Sequence, residues 1–400
     1  MRNSSPVAAL STTALTSSSS SSSSTTTSGR NQQERWLVVD FDGTCTVRDT
    51  TPLLHRLAYL IESQSHNIDD KDKDETSTRL QLDLKERVSI FSKLENEYYQ
   101  GYTEVLRSIE SEEYNDDNNN NNDNKSNLLQ LESSLHRLDC VSNNIIEKVN
   151  KSKILRGLGT ISHRKLFEMM QNYQHKQEQD SDNDDGHDDD DNDDIIFKGN
   201  LRDSLQLHPG CLSVLRRQNI KNNNWRIGVL SINWCPTLIE AVLLHPLCEK
   251  SFTSLTAPNI KGIPIWSNTI DENGVVSLIV PGAIAKKEQI LKLQQQQPQK
   301  NGNRLVVYVG DSSTDLLAII QADVGILLNG STSTTGLAIK YGVTIRSLSD
   351  YNNYDHDDND DENENECRRT KKKNSVDNGC FIWTASDWEE IGSFLNHSDD

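Results

Sequence analysis

Three short apolar runs each stop at a cluster of small polar and acidic residues, and this pattern constrains the fold more than any other feature. Trp36 to Val39 runs into Asp40-Phe-Asp-Gly-Thr, Arg226 to Leu230 into Ser231-Ile-Asn, and Leu305 to Val309 into Gly310-Asp-Ser-Ser-Thr-Asp. Apolar runs of this length bounded by turn residues read as buried strands. Val324 to Leu328 and Phe381 to Thr384 read the same way. Residues Leu53 to Ile61, Leu80 to Ile109 and Leu128 to Met170 carry apolar positions at three- and four-residue spacing, which predicts helices. Trp234 to Leu244 and Leu316 to Ala322 are predicted helices too, and Ser386 with Glu389 reads as a capping box for a last helix through Leu395. Strands alternating with helices imply an α/β fold with a parallel, Rossmann-like sheet covered on both faces. In such sheets ligands bind beyond the carboxyl ends of the strands.

The helical block falls between the first and second strands, so it is expected to be an inserted domain placed as a lid. This gives a core of residues 35–52 and 201–397 and a helical insertion of residues 53–200. Polar low-complexity segments interrupt both, because they cannot bury enough apolar surface to offset chain entropy. They are the Asn/Asp run 115–124, the acidic stretch 174–194 and the tract 352–374. Residues 1–34 form a Ser/Thr-rich tail, read either as disordered or as an organelle-targeting segment.

The formal charge of -19 would suggest an acidic protein seeking basic partners, were it spread over the fold. It is concentrated instead: Asp180 to Asp194 holds ten Asp, and Asp355 to Glu366 holds eight acids. Without those 18 residues, 41 basic groups face 42 acidic ones, so the folded body is near neutral. No clustered Lys and Arg favour nucleic acid, since the cluster Arg368, Arg369 and Lys371 to Lys373 follows an acidic tract. No run approaches the roughly 18 to 20 apolar residues that cross a membrane. Seven widely spaced cysteines without a Cys-x-x-Cys pair fit reduced thiols in an intracellular compartment, cytoplasmic or organellar.

The polar clusters at the strand ends carry the chemistry. A carboxylate at Asp40 can attack phosphorus, and Asp42, two residues on along an extended chain, falls on the same side. Two such carboxylates can divide the work, one as nucleophile and the other as acid and then base. Gly43 permits the tight exit, and Thr44 stands next in the loop. Ser231 can bond a phosphate oxygen, although taken by itself it is better explained as a plain N-cap serine. A lysine in Ala285-Lys286-Lys287-Glu288 would offset the negative charge. Adjacent helical residues point about 100° apart, so only one lysine faces the site. Lys287, followed by Ile290 and Leu291, is preferred, and Lys286 is the alternative. In Gly310-Asp-Ser-Ser-Thr-Asp, Asp311 is a candidate metal ligand and Asp315 a direct or supporting one, joined by Asp40 and Asp42. An oxygen-rich set of this kind suits Mg²⁺. Ser312 with Asp315 also reads as a capping box.

Four motifs in this order, an Asp-x-Asp, a Ser, a Lys and a Gly-Asp-x-x-x-Asp, resemble the haloacid dehalogenase superfamily. The likeness covers residues of about 35 to 60, 200 to 350 and 379 to 397. It implies a Mg²⁺-dependent phosphatase with an aspartyl-phosphate intermediate, metal held by Asp40, Asp311 and the backbone carbonyl of Asp42, Thr44 assisting Ser231 and the lysine in holding the phosphate, and a helical cap of the C1 type. Within that superfamily the Asp42 position distinguishes phosphatases. Asp40-Phe-Asp-Gly-Thr-Cys-Thr-Val, Val229-Leu-Ser-Ile-Asn-Trp-Cys, Tyr308-Val-Gly-Asp-Ser-Ser-Thr-Asp and Trp383-Thr-Ala-Ser-Asp-Trp-Glu-Glu-Ile are similar to the phosphatase domain of plant proteins that fuse it to a thiaminase II-like domain. That likeness implies a small-molecule phosphomonoester, thiamine monophosphate, as substrate. The absence of a thiaminase-like domain, the swollen cap and the doubled lysine are departures. A nucleotide or phosphoserine phosphatase, or a binding protein that keeps the fold without the chemistry, are the rival readings. Tyr98, Tyr99, Tyr102 and His55 are the cap residues that could choose the leaving group, with no assignment among them; the sequence is silent on oligomeric state.

Overall fold

The computed structural model describes residues 34–65, 73–112, 123–181, 205–220, 225–244, 263–296, 304–351 and 380–397. The 352–374 tract, nearly all of the Ser/Thr-rich start and most of the other two polar runs lie outside these residues. Strand β1 (Arg35–Val39) leads to α1 (Leu54–Ser65), α2 (Lys73–Ser111), α3 (Asp123–Ser152) and α4 (His163–Ser181). Next come α5 (Cys211–Ile220), β2 (Trp225–Leu230) and α6 (Pro236–Ile239), which opens into a π-turn over Glu240–Leu244. Three two-residue strands follow, β3 (Ile265–Trp266), β4 (Thr269–Ile270) and β5 (Val276–Ser277), and then α7 (Ala283–Gln295). The chain continues through β6 (Leu305–Gly310), α8 (Leu316–Gln321), β7 (Val324–Leu328), α9 (Thr332–Lys340), β8 (Thr344–Ser347), β9 (Phe381–Ala385) and α10 (Trp388–His397).

Seven strands form one sheet in the order β3-β2-β1-β6-β7-β9-β8, and every pairing is parallel. The expected α/β parallel fold is therefore present. β1 sits near the centre because its residues are apolar on both sides: Leu37, Val38 and Val39 are all fully buried. Alternate residues point to opposite faces of a strand. Leu37 and Val39 accordingly join the cluster containing Ile227, Val307 and Trp383, while Trp36 and Val38 join that of Val306, Tyr308 and Leu327. Burying one such side chain stabilises by about 1.5 to 3 kcal/mol, so these two layers fix the register of the strand ends.

Helices α2 and α3 run antiparallel, since Glu97 pairs with Lys148 and Ser108 with Arg137. One end of the pair packs on α1 through Phe91, Leu94 and Ile146; the other, with Ile109, Leu131 and Leu135, packs with Ala283 and Ile290 of α7 on the opposite face of the sheet. Between these ends the Tyr102 hydroxyl meets Ser313 Oγ at 2.7 Å, just beyond β6. The pair thus crosses the sheet where its strands stop.

Three differences from the sequence reading have simple causes. Leu128 to Met170 is two helices, α3 and α4, parted by a turn in which Lys153 and Gly157 take positive φ. β8 reads Thr-Ile-Arg-Ser, an edge strand too polar to show apolar periodicity. The cap of α10 lies one residue later than expected: Asp387 accepts the Glu390 N–H, and Glu390 reaches back to Ser386. Among the described residues no helix is long and apolar enough to cross a membrane, and all five cysteines are free thiols.

Candidate active site

Val39 of β1 pairs with Val229 of β2 on one side and Val309 of β6 on the other, so the three predicted polar clusters emerge side by side. Asp40 follows at once, its N–H donating to Val309 O at 2.9 Å, its side chain almost fully buried. The loop after it is pinned from below. The Cys45 thiol donates to Asp40 O, and the Trp388 indole N–H donates to Thr44 O at 2.9 Å. Gly43 is required twice over: its φ is +73°, and a Cβ there would lie 2.3 Å from Asp311 Oδ2. That close approach brings the ends of β1 and β6 together.

Lys286, not Lys287, faces Asp40. Its Nζ lies 3.0 Å from Asp40 Oδ1 and 2.6 Å from Asp315 Oδ1, with the whole side chain buried. Lys287 points instead to Glu132 on α3 and stays partly exposed. The expectation for Lys287 fails because Leu291, four residues on, is on the outer side of α7, whereas Ala283, Ile290 and Leu293 share the inner side with Lys286. Burial disfavours the Lys286 charge, but Asp315 and Asp40 outweigh it and hold the ammonium above its ordinary pKa.

Asp315 is anchored on every side. Its Oδ1 accepts from Lys286 and, at 2.6 Å, from Tyr308, and its Oδ2 accepts from Ser312 Oγ at 2.8 Å and the Ser312 N–H at 3.1 Å. Burial alone would raise its pKa; the lysine and these bonds lower it instead. The expected capping box of Ser312 and Asp315 is formed by the same contacts. Such a carboxylate holds Lys286 and has little left to offer a metal.

Asp42 turns the other way. It accepts from Thr50 N–H at 2.8 Å, Thr50 Oγ1 at 2.7 Å and Asn233 Nδ2 at 2.8 Å. Burial and then the nearby Asp49 push its carboxyl up to about 7, against the pull of those bonds. Ser231 is buried at the end of β2, where its oxygen accepts from the Asn233 N–H at 3.1 Å, leaving its own O–H to donate. Thr44 departs from expectation: its hydroxyl donates to Asp311 Oδ1 at 2.7 Å, so it holds a carboxylate and not a phosphate oxygen.

Asp40, Asp311 and Asp315 each bring an oxygen within 4.8 Å of the others. Three carboxylates share one buried ammonium, so the cluster carries surplus negative charge. Burial and then Asp315 raise Asp40 well above the carboxylate range and Asp311 to about 7. A hard divalent cation would relieve that repulsion and takes oxygen ligands, so the residues fit Mg²⁺, and Asp40 and Asp311 are the side chains that would hold it. The Asp42 side chain is outside this cluster. Magnesium at about 100 times its Kd is expected to stabilise the protein by about 2.7 kcal/mol. That corresponds to a rise of roughly 5 to 10 °C in Tm for a domain of this size, measured by calorimetry. Asp311→Asn is expected to remove most of the rise; an unchanged rise would exclude this cluster as the site.

Across 383 residues the chain is 24% identical to the mitochondrial bifunctional TH2 protein of Arabidopsis thaliana, covering 91% of this chain and 50% of that protein. It thus spans about half the length of the curated relative it matches. Among solved structures, a phospho-aspartyl intermediate analogue of phosphoserine phosphatase aligns over 76% of this chain and 91% of its own, at 12% identity and a TM-score of 0.33. A HAD family hydrolase from Salmonella enterica aligns over 76% and 65%, at 12% identity and a TM-score of 0.31. No family model matches this chain.

Four contributors to the site escaped the sequence reading: Thr50, Asn233, Tyr308 and Asp139. Asn233 and Tyr308 stand inside the quoted strings, and a tyrosine in the middle of a buried strand needs a partner for its hydroxyl. Thr50 and Asp139 leave no local signal, since their partners are 8 and 144 residues away. Of the four residues considered for leaving-group choice, Tyr98 and Tyr102 lie together, ring centroids 5.7 Å apart, beside Ser313. Tyr99 is mostly exposed, and His55 is buried in a stack on Phe91 at 4.2 Å.

Proposed function

We propose that this chain is a magnesium-dependent phosphomonoester phosphatase working through an aspartyl phosphate on Asp40. The observation that carries the reading is the convergence of Asp40, Lys286 and Asp311 at adjoining strand ends. Asp40 attacks the phosphorus, the bond to the leaving oxygen breaks, and Asp42 gives that oxygen its proton. Asp42 then takes a proton from water as the water attacks the aspartyl phosphate, releasing phosphate and restoring both carboxyls. A pKa of about 7 suits a group that must give and regain a proton. Lys286 and the Ser231 hydroxyl hold the phosphoryl oxygens. A bound Mg²⁺ would neutralise charge on those oxygens. Helices α2 and α3 act as the cap over this chemistry.

Asp42→Asn is expected to bind substrate nearly as the parent does and to slow both half-reactions, by about 10²- to 10⁴-fold for the loss of an acid-base group. Rapid-quench measurement of the two half-reactions checks this, and undiminished turnover would remove Asp42 from the mechanism.

Within this class the specific substrate we propose is thiamine monophosphate. Its support is the set of subfamily-like strings around Cys45, Trp234 and Trp383, and the Tyr98–Tyr102 pair, whose Tyr102 hydroxyl meets Ser313 beside the Asp311 loop. A cation over a tyrosine face gains about 0.5 to 2 kcal/mol, a preference of roughly twofold to thirtyfold. In a panel of phosphomonoesters assayed with Mg²⁺, thiamine monophosphate should therefore show the highest kcat/KM, above nucleoside monophosphates and phosphoserine. A preference for either of those would discard the thiamine assignment, and no hydrolysis of any ester would discard the phosphatase. The organelle reading of the Ser/Thr-rich start has one further support, the mitochondrial designation of the Arabidopsis relative.

A further inference from the structure

The helix carrying Lys286 has no cap of its own. α7 begins after Gly282, which has no side chain to accept the N–H groups left free at a helix start. The acceptor comes from α3 instead: Asp139, itself buried, takes the Ala283 N–H at 3.2 Å and the Ile284 N–H as well. The two positions are matched, because a Cβ at 282 would lie 2.0 Å from Asp139 Oδ1. Lys286 belongs to this same first turn, its N–H bonded to Gly282 O at 3.1 Å. Asp139 therefore fixes, from the helical block, the turn that aims Lys286 at Asp40.

We propose that Asp139 is a positioning residue for phosphoryl transfer, linking the docking of α3 on the sheet to the placement of Lys286 against Asp40. The inference rests on the phosphatase reading and adds a role for the helical block beyond choosing the leaving group. Its chemistry is ordinary N-capping, in which Asp and Asn are the preferred acceptors. What is unusual is that the acceptor is supplied 144 residues away by the element that covers the site. A shift of one ångström in a catalytic group can lower a rate by about a hundredfold, so loosening this turn should be felt in kcat more than in KM.

The test compares three variants of the full chain with the parent, using the best ester of the panel with Mg²⁺. Asp139→Ala should lower kcat by about tenfold to a hundredfold, with KM changed by less than about threefold. Asp139→Asn, which keeps a carbonyl acceptor, should retain most of kcat. In Asp139→Ala with Gly282→Ser, the serine caps α7 locally in the vacated space; its backbone is extended, with φ 171°, which any residue adopts. This pair should regain Tm without regaining kcat. Recovery of both would reduce Asp139 to a stabilising cap and overturn the proposal, as would a parent-like kcat in Asp139→Ala. If Asp139→Ala does not fold, the decision falls to the double variant: a kcat lowered by about tenfold to a hundredfold at parent-like Tm would support the proposal, and a parent-like kcat would overturn it. A parent inactive on every ester would instead defeat the phosphatase reading, and this inference with it.

Discussion

Asp40→Asn is expected to abolish both phosphate release and formation of a phosphoenzyme, a loss of at least about 10⁴-fold in kcat on the scale of removing a catalytic nucleophile. The amide keeps the shape of the carboxyl but cannot attack phosphorus. Asp40 carries no hydrogen bond that the fold needs from its side chain beyond its approach to Lys286, so the variant should fold. Its removal takes away a buried carboxyl whose pKa is raised by burial and then by the charges of Asp315, Asp311 and Asp42, so it should not cost the fold stability. Acid-quench trapping of labelled phosphate on the protein decides the matter. Full activity in the purified, folded variant would end the covalent mechanism.

Lys286→Met should have the second largest effect, and on two properties at once. The ammonium is fully buried between Asp40 and Asp315, and breaking a buried pair by removing one partner typically costs about 3 to 5 kcal/mol. Methionine keeps much of the volume, so the loss reports charge more than packing. Losing a preorganised positive group at a phosphoryl site lowers kcat by about 10²- to 10³-fold. Lys287→Met offers the contrast. Its pair with Glu132 is partly exposed, and such pairs contribute at most about 1 kcal/mol. Denaturation midpoints and steady-state rates of the two variants should separate by these margins, and similar losses in both would contradict the placement of Lys286.

That contrast also shows where the sequence is readable and where it is not. The strand-end motifs are legible because their residue types are fixed by chemistry and their positions by the apolar runs that precede them. Asp40, Ser231 and Asp311 stand where the runs predict them, at adjoining strand ends. The choice between Lys286 and Lys287 depended on which side of α7 is buried. Ile290 is three residues from one lysine and four from the other, so it does not discriminate; Leu293, seven residues after Lys286, does. Thr44 and Asp315 have the expected neighbours but use their polar atoms on protein partners, which only a complete hydrogen-bond accounting reveals. Asp139 could not be read at all, because it caps a helix start far along the chain.

The position of β1 has a consequence for how the protein is made. This strand is apolar on both faces, and its two neighbours in the sheet are β2 and β6. The partner of Val39 in β6 is Val309, 270 residues later. At about 5 to 20 residues per second, a ribosome needs roughly 15 to 55 s to deliver it. Until then Trp36 to Val39 is a nascent strand with no permanent partner on that edge, carrying the proposed nucleophile at its end. Pairings so distant in sequence are slow to form and prone to association while they wait. The first residues of the proposed site are thus among the last to be locked in place, and the emerging chain should depend on chaperones for longer than its size suggests.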